Sequence, residues 1–242
     1  MIHVASEGAV TTVTLDRPER RNAVDHATLV ELRQIIARAA EQRVRALVLA
    51  GYGGTFCAGA DLTGVEDHGF ADELRAVLTG LTELPAATIA WVQGAALGAG
   101  CQLAMACDLR VGTASAYFGI PANRLGLMVD AWTVQRVAQL VGGSVARAML
   151  LAAQTVSADE AATIGLLNRA GDLEEAKAWA RSIAELAPLS VAGHKLALER
   201  LQPAGVADDV VSDVMRAVWS SRDAQEGRAA FLDKRPPRFT GR

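Results

Sequence analysis

The stretch AALGAGCQLAMACD, residues 95–108, contains Gly98, Ala99 and Gly100 in succession and then runs directly into an apolar segment. A backbone with so few side-chain atoms can approach another group closely. The apolar residues predict a short buried helix, whose N-terminus would present uncovered N–H groups and the positive end of the helix dipole. The first polar side chain on that helix is Gln102, which is a neutral amide.

A second glycine-rich turn, GYGGTFCAGADL, follows the apolar strand pattern VRALVLAG. We call residues 51–62 turn one and residues 94–103, GAALGAGCQL, turn two. One N–H from each turn, aimed at a single point, would bind a carbonyl oxygen and stabilise the negative charge that it acquires. Such a site needs bare backbone and no side chain, so the two turns together predict an oxyanion site.

Strand and helix patterns alternate over the first half of the chain, and helical patterns alone follow from about Trp132. This order predicts an α/β core with a helical C-terminal portion. We place the core at residues 1–200 and the helical region at residues 201–242. The helical region would pack either on its own core or on a neighbouring subunit, and periodicity leaves both open.

Composition excludes several classes of protein. The 242 residues are 51% hydrophobic and 21% charged, with a net charge of -3, as is ordinary for a soluble globular protein. The chain has no basic stripe, so we expect no nucleic-acid partner. Cys57, Cys101 and Cys107 match no metal spacing and indicate reduced thiols, and the four histidines match none either. Because neither residue type has metal-ligand spacing, we expect no metal site. With no signal-peptide pattern at the N-terminus, we expect a cytoplasmic protein.

Leu84 to Cys107 carries no charge and is long enough to span a bilayer. Its residue pattern changes midway, however, from the strand-like ATIAWV to the helix-like GCQLAMAC. Pro85 and Gln93 also interrupt it. We therefore expect buried core elements and no membrane span.

The sequence partly matches two known motifs, one for dinucleotide binding and one for a nucleophilic serine. Gly94, Gly98 and Gly100 spell GxxxGxG, but they lie far from the first strand and no YxxxK accompanies them, so a dinucleotide site is poorly supported. GGSVA at 142–146 only approximates GxSxG, and no strand precedes it. Ser144 is better explained as a loop or helix-start residue.

Several segments resemble the enoyl-CoA hydratase/isomerase, or crotonase, superfamily in order along nearly the whole chain. They are TFCAGADL (55–62), ALGAGCQLAMACDLRV (96–111), RPERRNAV (17–24), SADEAATIGLLNR (157–169) and AAFLDKRPP (229–237). The resemblance implies an α/β spiral of β-β-α units and a helical C-terminal trimerisation region. It further implies a homotrimer or hexamer whose ligand is a coenzyme A thioester, with no separate cofactor.

Carried over by position, the family's oxyanion donors are the N–H groups of Ala58 and Ala99. The coenzyme-binding residues implied by the resemblance are Ala58, Gly59, Ala60, Asp61, Phe231 and Lys234. Lys234 would either face a phosphate or remain a solvated surface lysine.

The resemblance breaks at the two glutamates with which hydratases of this family manage a water molecule. Their positions align with Gln102 and Ala122. Glutamine can hydrogen-bond water but cannot exchange a proton near neutral pH, and alanine can do neither. General acid–base catalysis typically contributes about 10²–10⁴-fold, so little hydratase activity is expected. The pattern resembles a mycobacterial-type subgroup that lacks both glutamates.

Asp130 is the remaining catalytic candidate, because MVDAWT (128–133) stands where the family often has IPGAGG. Some isomerases and dehalogenases of the family carry a working aspartate there. Asp130 would equally serve as the N-cap of the following helix. Trp132 would either line an acyl pocket or belong to the core.

These observations predict a fatty acyl-CoA thioester-binding protein of fatty-acid metabolism with weak or absent hydratase activity. The alternative is an active enoyl-CoA isomerase or hydratase, a lyase, that works through a thioester enolate with Asp130.

Overall fold

The computed structural model describes residues 1–63, 69–200 and 216–238. The chain divides into two compact units. The first unit contains Met1–Phe118 and Val156–Gln202, and the second contains Gly119–Thr155 and Pro203–Arg242. The boundary predicted between residues 200 and 201 adjoins residues 201–215, which lie outside the described ranges, so it stays a prediction.

Nine strands lie in the described ranges, in one large and one small sheet. They are β1 (Ile2–Glu7), β2 (Val10–Leu15), β3 (Ala46–Gly51), β4 (Ala87–Val92), β5 (Ala95–Leu97), β6 (Leu109–Gly112), β7 (Tyr117–Gly119), β8 (Val156–Ser157) and β9 (Arg169–Ala170). The large sheet has the order β1-β2-β3-β4-β6-β9, and the small sheet has the order β5-β7-β8.

The longer helices of the first unit are α1 (His26–Glu41), α2 (Phe70–Glu83), α3 (Ala99–Ala106), α5 (Ala158–Thr163), α6 (Leu173–Ala184) and α7 (Pro188–Arg200). The second unit contributes α4 (Ala131–Leu151) and α8 (Arg222–Leu232). Short 3₁₀ helices cover Pro18–Arg20 and Ala122–Leu125.

The large sheet is parallel apart from the β1–β2 hairpin. Every residue of β3 and β4 is buried, as expected for parallel strands that are covered on both faces. One face packs against the alanine side of α6, where Ala176 and Ala180 meet Val48 and Ile89. The carboxyl ends of β3 and β4 lead into turns one and two, so the sheet brings both turns to the same edge.

The segment from Leu84 to Cys107 forms β4, β5 and α3, which confirms the predicted change from strand to buried helix. Within the described ranges, no helix combines the length and the apolar character that crossing a membrane requires.

In the second unit, α8 packs against the 3₁₀ helix at Ala122–Leu125. A side chain at Gly227 would collide with the carbonyl oxygen of Leu125, so glycine is needed at this contact. Trp219 Nε1 donates to the carbonyl of Met128 over 2.9 Å. These contacts join the 216–238 segment to residues 119–130.

Candidate functional site

Turn one and turn two run side by side and are joined by main-chain hydrogen bonds. The N–H of Cys57 donates to the carbonyl of Ala95 over 2.9 Å, and the N–H of Leu97 donates to the carbonyl of Cys57 over 3.0 Å. These two bonds form a parallel bridge between Cys57 and Ala96. The sequence prediction that the turns act together is consistent with this junction.

Glycines in both turns are required by the close approach of the two backbones. A Cβ at Gly100 would overlap the carbonyl oxygen of Cys57. Gly59 has φ +114, and a Cβ there would lie 3.0 Å from the carbonyl oxygen of Leu97 and 3.9 Å from the nitrogen of Ala99. The bare backbone therefore packs the two turns against each other and brings residues 59–60 beside the start of α3.

Helix α3 begins at Ala99, and its N-cap is Gly98, which has no side chain that could accept from the first-turn N–H groups. First-turn N–H groups have no acceptor within their own helix. Among the hydrogen bonds of the described residues, none is donated by the N–H of Ala99. Ala99 is absent from the residues with positive φ, so its alanine side chain fits this backbone without strain.

The N–H of Ala58 is already engaged, because it donates to the carbonyl of Arg21 over 3.0 Å. This bond corrects the prediction that Ala58 is an oxyanion donor. A segment before α1 runs alongside turn one at this point, and a sequence alone does not show that its carbonyl reaches Ala58.

The N–H of Ala60 is oriented differently from that of Ala58. Ala60 forms a parallel bridge with Val24. The N–H of Val24 donates to the carbonyl of Gly59 over 2.9 Å, and the N–H of Asp61 donates to the carbonyl of Val24 over 2.8 Å. In a parallel pair, the residue between these two bonds directs its own N–H to the opposite side. This N–H donates to no protein acceptor within the described ranges.

The carboxylate of Asp61 is held within the protein. Oδ1 accepts hydrogen bonds from the N–H of Thr63 over 3.2 Å and from its hydroxyl over 2.6 Å. Oδ2 accepts one from Arg17 Nη2 over 3.2 Å. The bond from the Thr63 hydroxyl, with further help from Arg20 and Arg17, holds the pKa of Asp61 below its ordinary value of 3.8. Asp61 is therefore an anion that organises turn one at neutral pH.

Gln102 lies on α3 and is only 6% exposed. All eight residues of α3 are buried, which accounts for its apolar sequence. The thiol of Cys57 is also buried, and burial raises its pKa to about 12. A thiol in that state is protonated at neutral pH and is no nucleophile, so Cys57 supplies no reactive group to turn one.

In the second unit, Asp130 is the N-cap of α4. Its Oδ1 accepts from the N–H of Thr133 over 2.9 Å and from the Thr133 hydroxyl over 2.5 Å. Of the two roles predicted for Asp130, the structural one is observed, and the catalytic one stays a prediction. Trp132 is partly exposed, and Ala122 begins the 3₁₀ helix that ends at Leu125.

Phe231 and Lys234 lie at the end of α8 and just beyond it. Phe231 is 53% exposed, so its ring is available to a ligand or another surface. Next to them, Arg235 binds Glu226 through two bonds of 2.6 and 2.9 Å. These bonds, together with one from the N–H of Arg238, lower the pKa of Glu226 to about 2. The coenzyme contacts predicted for Phe231 and Lys234 stay predictions.

Sequence reasoning missed Arg17 and the engagement of Ala58. The signal was present in RPERRNAV, where Arg17 and Asn22 both prove to bond turn one or the loop beneath it. Within the described ranges, no group of three or more His, Cys, Asp or Glu side chains is arranged to hold a metal ion.

The fold and the paired turns define a crotonase-fold protein. Among solved structures, methylmalonyl CoA decarboxylase superposes with a TM-score of 0.91 at 25% identity, covering 100% of this chain and 98% of the other. An enoyl-CoA hydratase from Mycobacterium avium subsp. paratuberculosis K-10 superposes with a TM-score of 0.88 at 26% identity, covering 99% and 98%.

The chain belongs to the enoyl-CoA hydratase/isomerase family, whose sequence profile matches residues 5–242. It is similar to the probable enoyl-CoA hydratase echA6 of Mycobacterium bovis, with 40% identity over 242 residues and full coverage of both chains. The resemblance read from the sequence is thereby confirmed at the level of the family.

Proposed function

We propose that this protein binds fatty acyl-CoA thioesters, with the N–H groups of Ala60 and Ala99 donating to the thioester oxygen. The observation that carries this proposal is the junction of the two turns. At this junction Gly59 lies against the start of α3, and the N–H groups of Ala60 and Ala99 donate to no protein acceptor within the described ranges. Family membership and relatives named enoyl-CoA hydratase support the choice of ligand.

Two backbone donors at a thioester oxygen polarise the carbonyl and stabilise an enolate. One oxyanion donor typically contributes about 10²–10³-fold to a rate. The positive end of the α3 dipole acts in the same direction at Ala99. This electrostatic contribution needs no ionisable side chain.

Hydration needs proton transfer as well, and Gln102 cannot supply it. Ala122, at the second position that the resemblance assigns to a glutamate, has no polar side-chain atom. We therefore propose weak or absent hydratase activity and a binding or carrier role in fatty-acid metabolism.

The decisive experiment compares an acyl-CoA thioester with the matching S-alkyl-CoA thioether, which lacks the carbonyl oxygen. Calorimetry should show tighter binding of the thioester, and crotonyl-CoA hydration by the same preparation should be slow or undetectable. Equal affinity for both compounds would contradict the oxyanion site. Hydration at the rate of a family member with both glutamates would contradict the binding role.

The resemblance also leads us to propose a homotrimer or hexamer. Leu189 and Leu196 lie seven residues apart on α7, hence on one face of that helix, and are 87% and 54% exposed in the single chain. Large apolar side chains exposed on one helix face are typical of a surface that is covered by another protein. Light scattering coupled to size-exclusion chromatography should give a mass of three or six chains, and a monomer at micromolar concentration would contradict this assembly.

A further inference from the structure

The Arg17 side chain ties together three segments of the first unit. Nη1 donates to the carbonyl of Ala23 over 2.8 Å and lies 2.9 Å from Asp25 Oδ2. Nη2 donates to Asp61 Oδ2 over 3.2 Å. The Arg17 and Asp61 side chains are only 18% and 10% exposed, so salt screens this ion pair less than a surface pair.

These bonds lie on both sides of the bridge that orients Ala60. Arg17 fixes Ala23 and Asp61, while Val24 bonds Gly59 and Asp61 through its N–H and carbonyl. Arg17 therefore holds the outer ends of the same short bridge. Movement of either end would rotate the peptide plane that carries the N–H of Ala60.

The same loop also supports the earlier part of turn one. The N–H of Arg17 donates to Asn22 Oδ1 over 2.8 Å, and Asn22 Nδ2 donates to the carbonyls of Tyr52 and Thr55 over 2.7 and 2.6 Å. Asn22 is 1% exposed, so these bonds are sheltered from water. Residues 17–25 thus underlie turn one at both of its ends.

Both oxygens of Asp61 have protein partners, Thr63 at Oδ1 and Arg17 at Oδ2. The coenzyme contact that the resemblance predicted for Asp61 stays a prediction. An anion satisfied in this way stabilises backbone geometry, and its removal leaves a sheltered guanidinium short of a partner.

We infer that Arg17 and Asp61 are positioning residues for the acyl-thioester site: their ion pair fixes the direction of the Ala60 N–H toward the thioester oxygen. The inference rests on the proposed function. It predicts an effect on recognition of the carbonyl oxygen rather than on the coenzyme as a whole.

The test measures the ratio of dissociation constants for the S-alkyl-CoA thioether and the acyl-CoA thioester. Arg17→Met should lower this preference for the thioester by about fivefold, the equivalent of one hydrogen bond. Arg17→Lys keeps the charge but not the fork that spans Ala23 and Asp61, so it should retain part of the preference. The matched control is Arg33→Met, which breaks the 2.7 Å ion pair with Glu73 in the same unit and should leave the ratio unchanged.

Asp61→Asn provides a second route if Arg17→Met does not fold, because its amide oxygen can still accept from Thr63. It should also lower the ratio, with little further loss in the double variant. If either folded variant keeps the wild-type ratio, or weakens both compounds equally, the positioning role is wrong while the proposed function stands. If the wild-type protein shows no preference for the thioester, the proposed function fails and this inference fails with it.

Discussion

Lys195 Nζ lies 2.8 Å from Asp108 Oδ2 and also donates to the carbonyls of Leu81 and Ala86, over 2.7 and 3.1 Å. Lys195 is 6% exposed, although α7 is otherwise mostly exposed. Asp108 Oδ2 in turn accepts from the N–H and hydroxyl of Thr88 at the start of β4. A single buried ammonium group thus fastens α7 to α2 and to the large sheet.

Replacing Lys195 by Met should therefore destabilise the protein strongly. The variant removes the buried cation that pairs with the Asp108 carboxylate and donates to two carbonyls, and breaking a buried pair costs about 3 kcal/mol. Urea unfolding followed by circular dichroism measures the change. Lys177→Met is the matched control, because its 3.0 Å pair with Glu174 lies at the surface and should change the free energy of unfolding by less than about 1 kcal/mol. Equal effects of the two substitutions would contradict the role given to Lys195.

Gly100→Ala should disrupt the junction of the two turns. The added Cβ would overlap the carbonyl oxygen of Cys57, and backbone cannot move aside as a flexible side chain can. We expect a loss of at least about 2 kcal/mol in the free energy of unfolding. Gly193→Ala in α7 is the control, because nothing lies within 4 Å of its Cβ position. It should be neutral or stabilising by up to about 1 kcal/mol, and a similar result at residue 100 would show that the turns are not closely packed.

Asp130→Asn separates the capping role of this residue from proton transfer. Asparagine caps helices about as well as aspartate but cannot exchange a proton, so stability should change by less than about 0.5 kcal/mol. Asp130→Ala should cost about 1 kcal/mol through loss of the cap. If the wild-type protein exchanges solvent deuterium at the α-carbon of an acyl-CoA and Asp130→Asn abolishes this exchange, the binding role is wrong and the isomerase alternative is supported. We expect no exchange in the wild-type protein, as a binding role requires.

Asp61 predicts a defined dependence of stability on pH. Its pKa is lowered in the folded state, so its contribution is fully present above the ordinary value of 3.8 and is lost as the pH falls through the folded-state pKa. Asp61→Asn should therefore be less stable than wild type at about pH 7, and the gap should narrow below about pH 4. Urea titrations at several pH values measure this gap. Asp159→Asn at an exposed position serves as the control, and a gap for Asp61→Asn that is independent of pH would contradict the ion pair.

Much of the fold could be predicted from the sequence because its signals are local. The uncharged stretch 84–107 changes from a strand pattern to a helix pattern, and β4, β5 and α3 follow that change. The helix cap at Asp130 was one of two roles that its position before an apolar run allowed, and the cap is observed. The resemblance of TFCAGADL and ALGAGCQLAMACDLRV to the family's segments indicated the family, which the match over residues 5–242 establishes.

The sequence by itself determined the family, the order of strands and helices, and the neutral amide at residue 102. Only the tertiary structure decided which N–H groups of turn one donate to protein carbonyls and which point away from them. Ala58 and Ala60 are both small residues in one short motif, but Arg21 accepts from the first, while the bridge to Val24 turns the second to the opposite side. Those partners lie more than 30 residues earlier in the chain. The direction of a peptide N–H depends on the segment that packs beside it, and no local pattern records that neighbour.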